Sequence, residues 1–192
     1  MADQATDRQI LDVAARLLRT RGYEATTVRA IAAGVGIQAA SLYHHYPSKD
    51  AIAAEVVNEG VRVVHAAVTA ALAALPAEAT PRDRLEAATR AHLLSSLQNS
   101  DYTSASIRAF AFLPDGVREE CRHERRRYEA VWADLVDRAG AAGLLRPGLS
   151  RDVVRLMLLG SVNWAGEWYR PGRLSIDRIA RDFADLIFGP RD

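Results

Sequence analysis

GVGIQAASLYHHYPSKD, residues 34 to 50, decides how this chain is read. Tyr43, His44, His45 and Tyr46 follow one another on a segment too short for more than about two helical turns. Pro47 then stops it, and Lys49, the only lysine in the chain, comes next. On a helical wheel at about 100° per residue, Ala39, Leu42 and Tyr46 fall on one side and Ala40, Ser41 and His44 on the other. The outward side is small and polar, with Gln38 and His45 on one edge and Tyr43 on the other. Small residues let a backbone approach a DNA major groove, and polar side chains beside them reach base edges and phosphates. From position 27 to position 49 the chain carries Arg29 and Lys49 and no carboxylate, so the local charge is positive.

Upstream, Ile10, Val13, Ala14, Leu17 and Leu18 recur at helical spacing and predict an amphipathic helix from about Asp7 to Arg21, ended by Gly22. Thr26 or Thr27 can N-cap a short second helix that buries Val28, Ile31, Ala32 and Val35 and is interrupted by Gly34 and Gly36. Two short helices joined across glycines, with a third packed behind them, make helix-turn-helix geometry.

Downstream, Ser48 is an N-cap for a long helix from about Lys49 to Leu75, ended by Pro76. Thr80 and Pro81 start a helix carrying Leu85, Ala88, Leu93, Leu94 and Leu97, and a further helix covers about Ser104 to Leu113. After the turn at Pro114, Asp115 and Gly116, a helix runs to Gly140 or Gly143 with Val131, Trp132, Leu135 and Val136 buried. Two last helices, about Arg151 to Trp168 and Ser175 to Phe188, are divided by Pro171 and Gly172. Nine helices with short connections and no strand pattern predict an all-α protein.

With 192 residues and 49% apolar content the chain can bury a substantial core, and its formal net charge of +1 decides nothing about partners. The single cysteine, Cys121, excludes an internal disulfide framework and reads as a bystander or, less simply, a redox switch. Asp3, Asp7 and Asp12 break up the N-terminus, so it is not a secretory signal, and no later run approaches membrane-spanning length; a cytoplasmic protein without membrane contact is expected. An enzyme would need a nucleophile with its base, an HExxH or a phosphate loop, and GVGIQAA is not followed by Gly-Lys-Ser/Thr. An architectural DNA-binding protein would carry more uniform positive charge and no large apolar domain. His65, His92 and His123 are too scattered to suggest a metal, and no catalytic residue or cofactor is expected.

TTVRAIAAGVGIQAASLYHHYPSKD resembles the DNA-binding signature of the TetR family of bacterial transcriptional repressors. The elements that match are Thr27, Ile31, Ala32, Gly36, Ile37, Leu42, Tyr43, His45, Tyr46 and Lys49, with Ile37 in place of the usual Val and Tyr46 in place of the usual Phe. The resemblance implies a nine-helix, two-domain regulator: a three-helix helix-turn-helix domain over residues 1–47 and a larger ligand-binding and dimerisation domain over 48–192. Carried over residue by residue, it makes Thr27, Tyr43, His44 and Lys49 phosphate contacts and Gln38, Ala40 and Ser41 readers of base edges. Tyr46 is expected in the core, and His45 is equally a capping or core residue and a DNA contact.

The same resemblance makes the last two helices a dimer interface. Val153, Leu156, Met157, Gly160 and Trp164 line one stripe and Ile176, Ile179, Phe183 and Ile187 another, the alternative being a purely intramolecular core. NWAGEWYRPGRLS resembles a junction found in a branch of the family whose members often respond to acyl-CoA thioesters. On the long helix that carries RHERRRYEAVW, Arg118, Arg122 and Arg126 lie four apart and could bind CoA phosphates, although Glu119 with Arg122 and Glu124 with Arg127 are also ordinary surface pairs. His65, His92, Tyr102, Phe110, Phe112, Trp132, Asn163 and Trp164 are candidate pocket walls, each also readable as plain core. Together these imply a ligand-responsive homodimeric repressor on a palindromic DNA operator, released by a small-molecule effector. That effector would be an acyl-CoA thioester of lipid or steroid catabolism, or else a hydrophobic xenobiotic in a protein controlling efflux.

Overall fold

The computed structural model describes residues 2–98 and 101–189, and every regular element among them is a helix. The first is α1 (Ala2–Arg21), whose end is closed by Gly22 at φ 76° with its N–H on the Leu18 carbonyl at 3.0 Å. Helix α2 (Val28–Val35) is capped by Thr27, whose hydroxyl oxygen accepts from the Ala30 N–H at 3.1 Å. Thr26 acts differently, being buried with its hydroxyl donating to the Gly22 carbonyl at 2.7 Å. Gly36 ends α2 at φ 82°, ψ 26°, a left-handed conformation that a side chain disfavours, and the N–H groups of Gly36 and Ile37 both reach the Ala32 carbonyl. Gly34 is present for space, since a Cβ there would lie 2.6 Å from Val13 Cγ1 on α1.

Helix α3 (Ala39–His45) follows after one sharp turn, and α4 (Lys49–Ala73) starts where the Ser48 hydroxyl oxygen accepts from the Ala51 N–H at 3.1 Å. The remaining helices are α5 (Pro81–Gln98), α6 (Asp101–Phe110), α7 (Asp115–Ala141), α8 (Arg151–Asn163), α9 (Ala165–Trp168) and α10 (Ile176–Phe188). One expected helix, Arg151 to Trp168, is two. Trp164, at φ −81° and ψ 3°, bends the chain into the single turn of α9, whose Ala165 is buried, so the described residues form ten helices where nine were expected.

Two compact units divide the chain, one taking the described residues within Met1–Arg62 and Ser100–Arg125, the other those within Val63–Asn99 and Arg126–Asp192. In the first, Ile10, Val13, Ala14 and Leu18 of α1 meet Ile31 and Ala32 of α2, Leu42 of α3, and Ile52, Val56 and Val57 of α4 in one buried cluster. Helix α6 completes this core. It packs along α1, where the Tyr102 hydroxyl donates to Asp12 at 2.7 Å and Arg19 pairs with Asp101 at 2.6 Å. At Gly60 a Cβ would collide with the Tyr102 backbone, so α4 and α6 also touch main chain to main chain. Cys121 is fully buried beside the Ala54 carbonyl, and burial pushes its thiol up to about 11, which leaves it protonated and unreactive.

In the second unit α5 is the centre, in contact with α8, α9 and α10. Arg82 ties the start of α5 to the end of α10 through Asp185 at 2.5 Å and the Gly189 carbonyl, and Arg90 reaches Asp177 at 2.5 Å. Contrary to the sequence expectation, α4 does have the length and composition of a membrane span. Its apolar residues Ile52, Val56, Val57, Val61, Val64 and Val68 are nevertheless buried in the protein's own cores.

Candidate functional site

The candidate DNA-facing surface centres on the seven residues of α3, and their orientation follows from a single anchor. Leu42 is 0% exposed, with Ala39, Tyr46 and Ile37 packed against the same cluster. Because Leu42 points inward, Ala40, Ser41, Tyr43 and His44 point outward and are exposed, as are Gln38 and Thr27; Tyr43 keeps 54% of its surface open. Tyr46 instead ends the helix half-buried, and burial, with Asp7 and Glu55 nearby, pushes its hydroxyl up to about 12. His45, left open by the sequence, lies 2.7 Å from Asp7, so that it fastens α3 to α1.

Lys49 is held rather than loose. Its ammonium sits 3.8 Å from the centre of the Tyr23 ring and donates to the Tyr23 carbonyl at 3.2 Å, while the Tyr23 hydroxyl donates to Asp50. An ammonium has three donors, so this arrangement leaves donors for another acceptor while restricting where the group can be. Burial and the Asp50 carboxylate raise the Tyr23 hydroxyl well above its ordinary range, which keeps it a donor.

The residues expected to line a ligand site fall into separate groups. Tyr102 and Phe110 belong to the first unit, where Tyr102 serves α1 and the Phe110 ring lies under Arg125 at 4.0 Å. Phe112 is 67% exposed, and Arg122 is an exposed partner of Glu119 at 3.0 Å. Trp164 is exposed and Asn163 half-buried. His65, His92 and Trp132 do come together in the second unit, around a residue that the sequence pattern does not single out, Tyr128. Its ring centre lies 5.7 Å from that of His65, 5.9 Å from that of His92 and 6.3 Å from that of Trp132, and its hydroxyl is 2.5 Å from His92 Nδ1. Complete burial lowers the His92 pKa to about 3, so the ring is neutral. Among the described residues its Nε2 has no partner, nor do the Thr89 hydroxyl, the Ser96 hydroxyl or the Trp132 indole N–H. A signal for Tyr128 exists in the sequence: it precedes Trp132 by one turn, and Thr89, His92 and Ser96 share one face of α5 at spacings of three and four.

Along α8, Val153, Leu156 and Met157 are 48%, 62% and 62% exposed, and Gly160 has open space where a Cβ would be. On α10, Leu186 is 66% exposed and Phe183 and Ile176 are half-buried. Ile179 and Ile187, expected on the dimer face, are instead 4% and 8% exposed within the chain, because that side of α10 lies on α5.

A short helix seated by Leu42, presenting small and polar residues behind a capped partner helix, defines a helix-turn-helix DNA-binding regulator. The family comparisons agree at both ends of the chain. Residues 10–56 match the bacterial regulatory proteins of the tetR family, and residues 78–189 match the tetracyclin repressor-like C-terminal domain. The chain belongs to the TetR family of bacterial transcriptional regulators, and it is not an enzyme. It is 28% identical to the HTH-type transcriptional repressor KstR2 of Mycobacterium tuberculosis over 199 aligned positions, covering 98% of this chain and 95% of that protein. KstR2 of Mycolicibacterium smegmatis is 26% identical, with 94% and 88% covered. Among solved structures, AibR in complex with isovaleryl coenzyme A and operator DNA superposes with a TM-score of 0.84 at 29% identity, over 97% of this chain and 100% of that one.

Proposed function

We propose that this regulator is a homodimeric repressor that binds a palindromic operator through residues 1–47 and is released when an acyl-CoA thioester enters the part formed by residues 48–192. The observation that carries the DNA-binding half is the exposed face of α3. From that face Gln38, Ala40 and Ser41 would read base edges, and Thr27, Tyr43, His44 and Lys49 would bind phosphates on either side, a reading supported by the exposure of all but the half-buried Lys49. The likeness to AibR, a protein solved with isovaleryl coenzyme A and operator DNA, supports the effector class. For the dimer, the exposed stripe of Val153, Leu156, Met157 and Gly160 on α8, and Phe183 with Leu186 on α10, supply apolar surface that a second copy would cover. Effector binding would act through α4, which contributes residues to both units and begins at the phosphate-binding Lys49.

Binding to the DNA upstream of the protein's own gene tests the reading directly. A salt-sensitive preference for that DNA over random duplex is expected, together with release by CoA thioesters and not by the matching free acids. No preference sinks the repressor reading, and equal release by acids and thioesters sinks the effector class.

A further inference from the structure

The second unit buries an unusual concentration of hydrogen-bonding groups. His92 and Thr89 on α5 and Trp132 on α7 are at most 1% exposed, yet among the described residues His92 Nε2, the Thr89 hydroxyl and the Trp132 indole N–H have no partner. The Ser96 hydroxyl, one turn beyond His92, is also buried and without a partner, on a residue that is itself half-buried. A core that served packing alone would place apolar residues at these positions, because an unmatched polar group in a dry interior opposes folding. A ligand able to complete these bonds restores what folding gave up, which makes the cluster a binding determinant rather than a packing element.

Its chemistry can be read from the one bond that is formed. Burial raises the Tyr128 hydroxyl well above its ordinary range, so it keeps its proton, although the neighbouring Trp132 indole pulls the other way. A buried hydroxyl that keeps its proton needs an acceptor, and Nδ1 of the neutral His92 ring, 2.5 Å away, is within reach to be one. A neutral imidazole that accepts at Nδ1 carries its proton on Nε2, so the unpartnered His92 atom is a donor. Burial holds the ring neutral. A donor without charge suits an uncharged acceptor better than a carboxylate, whose lost hydration a neutral imidazole does not replace.

We propose that His92 Nε2–H, flanked by the Thr89 and Ser96 hydroxyls, receives the carbonyl oxygen of an acyl thioester, and that Tyr128 is the positioning residue that fixes the required His92 tautomer. This rests on the effector reading above and adds to it the atoms that recognise the acyl group. It assigns roles to Tyr128, Thr89 and Ser96, and it separates the thioester from its free acid by the charge the site can accept.

The test uses the full chain in two steps. Nitrogen NMR of the His92 ring in the ligand-free protein at pH 7 is expected to report the neutral Nε2–H tautomer; an Nδ1–H tautomer or a charged ring overturns the proposal. Acyl-CoA thioesters from acetyl to stearoyl are then titrated beside the matching S-alkyl CoA thioethers, which lack only the carbonyl. The best thioester is expected to bind about tenfold or more tighter than its thioether, the worth of one buried hydrogen bond, and to shift the His92 Nε2 resonance. In Tyr128→Phe that advantage is expected to shrink as the tautomers mix. Equal binding of thioester and thioether, or thioester binding that leaves the His92 resonance unmoved, overturns this proposal alone. Failure of every thioester to bind refutes the effector reading and this proposal with it.

Discussion

Lowering the pH from 7 to 5 is expected to remove about 2 kcal/mol of folding stability through His92 alone. The ring is native in its neutral form, with its pKa lowered from 6.5 to about 3 by complete burial on α5. As pH falls through 6.5 the unfolded chain takes up a proton that the folded chain refuses. The stabilising contribution is therefore full above that value and declines by about 1.4 kcal/mol per pH unit below it. It stops declining only near pH 3, where the folded ring protonates too. Over the roughly 1.5 units between 6.5 and 5 this amounts to about 2 kcal/mol. The measurement is a difference between two proteins. His92→Phe keeps an aromatic ring against Tyr128 and Trp132 but cannot titrate. Urea unfolding of both proteins at pH 7 and 5, at one fixed protein concentration because assembly shifts apparent stability, isolates the His92 share. The wild type should lose about 2 kcal/mol more than the variant across the two pH values. Parallel losses would mean that the native ring accepts a proton freely, and the neutral, buried donor on which thioester recognition depends would be refuted.

Lys49→Ala is expected to weaken operator binding and to reduce the slope of log affinity against log salt by about 1, as for one lost phosphate contact. Fluorescence anisotropy over a salt series measures it, and an unchanged slope removes Lys49 from the interface. Gly36→Ala forces a side chain into the left-handed φ that ends α2 and should cost about 1–2 kcal/mol by urea unfolding; no change would contradict that turn. Leu42→Ala empties a fully buried position and should cost about 2–5 kcal/mol, read by hydrogen exchange as early opening of α3. Leu156→Asp together with Met157→Asp places charge on the exposed α8 stripe, and sedimentation should then find monomer where a dimer is expected of the wild type. A variant that still dimerises places the interface elsewhere.

Most of the reading head was legible because its determinants are local. Gly22, Gly36 and Ser48 act within one turn of where they stand, and the alternation of Leu42 with Ala40, Ser41 and His44 orients α3 from periodicity alone. Even there a choice stayed open where two residues had the same local chemistry. Thr26 and Thr27 both suit an N-cap, and only the packed structure puts the first on the Gly22 carbonyl and the second on the Ala30 N–H.

The farther apart two partners are in sequence, the less of their relation could be read. Periodicity identifies an apolar stripe without naming what covers it, so Ile179 and Ile187 looked available for a partner subunit while α5 already covers them. Tyr102 looked like a pocket wall and is an α1 contact through Asp12, 90 residues away. His45, equally a cap or a DNA contact by its place on the wheel, meets Asp7, which only the packing of α3 against α1 brings within reach.

By itself, then, the sequence determined an all-helical chain, the boundaries of most helices and the outward face of α3, since caps, breakers and helical period operate over about four residues. Tertiary structure alone decided that α6 shares the core of the reading head, and that His92, Tyr128 and Trp132 meet in one buried cluster. A hydroxyl or an imidazole carries no mark of its future neighbours; whether it is solvated, paired or stranded depends on which helix is laid against it.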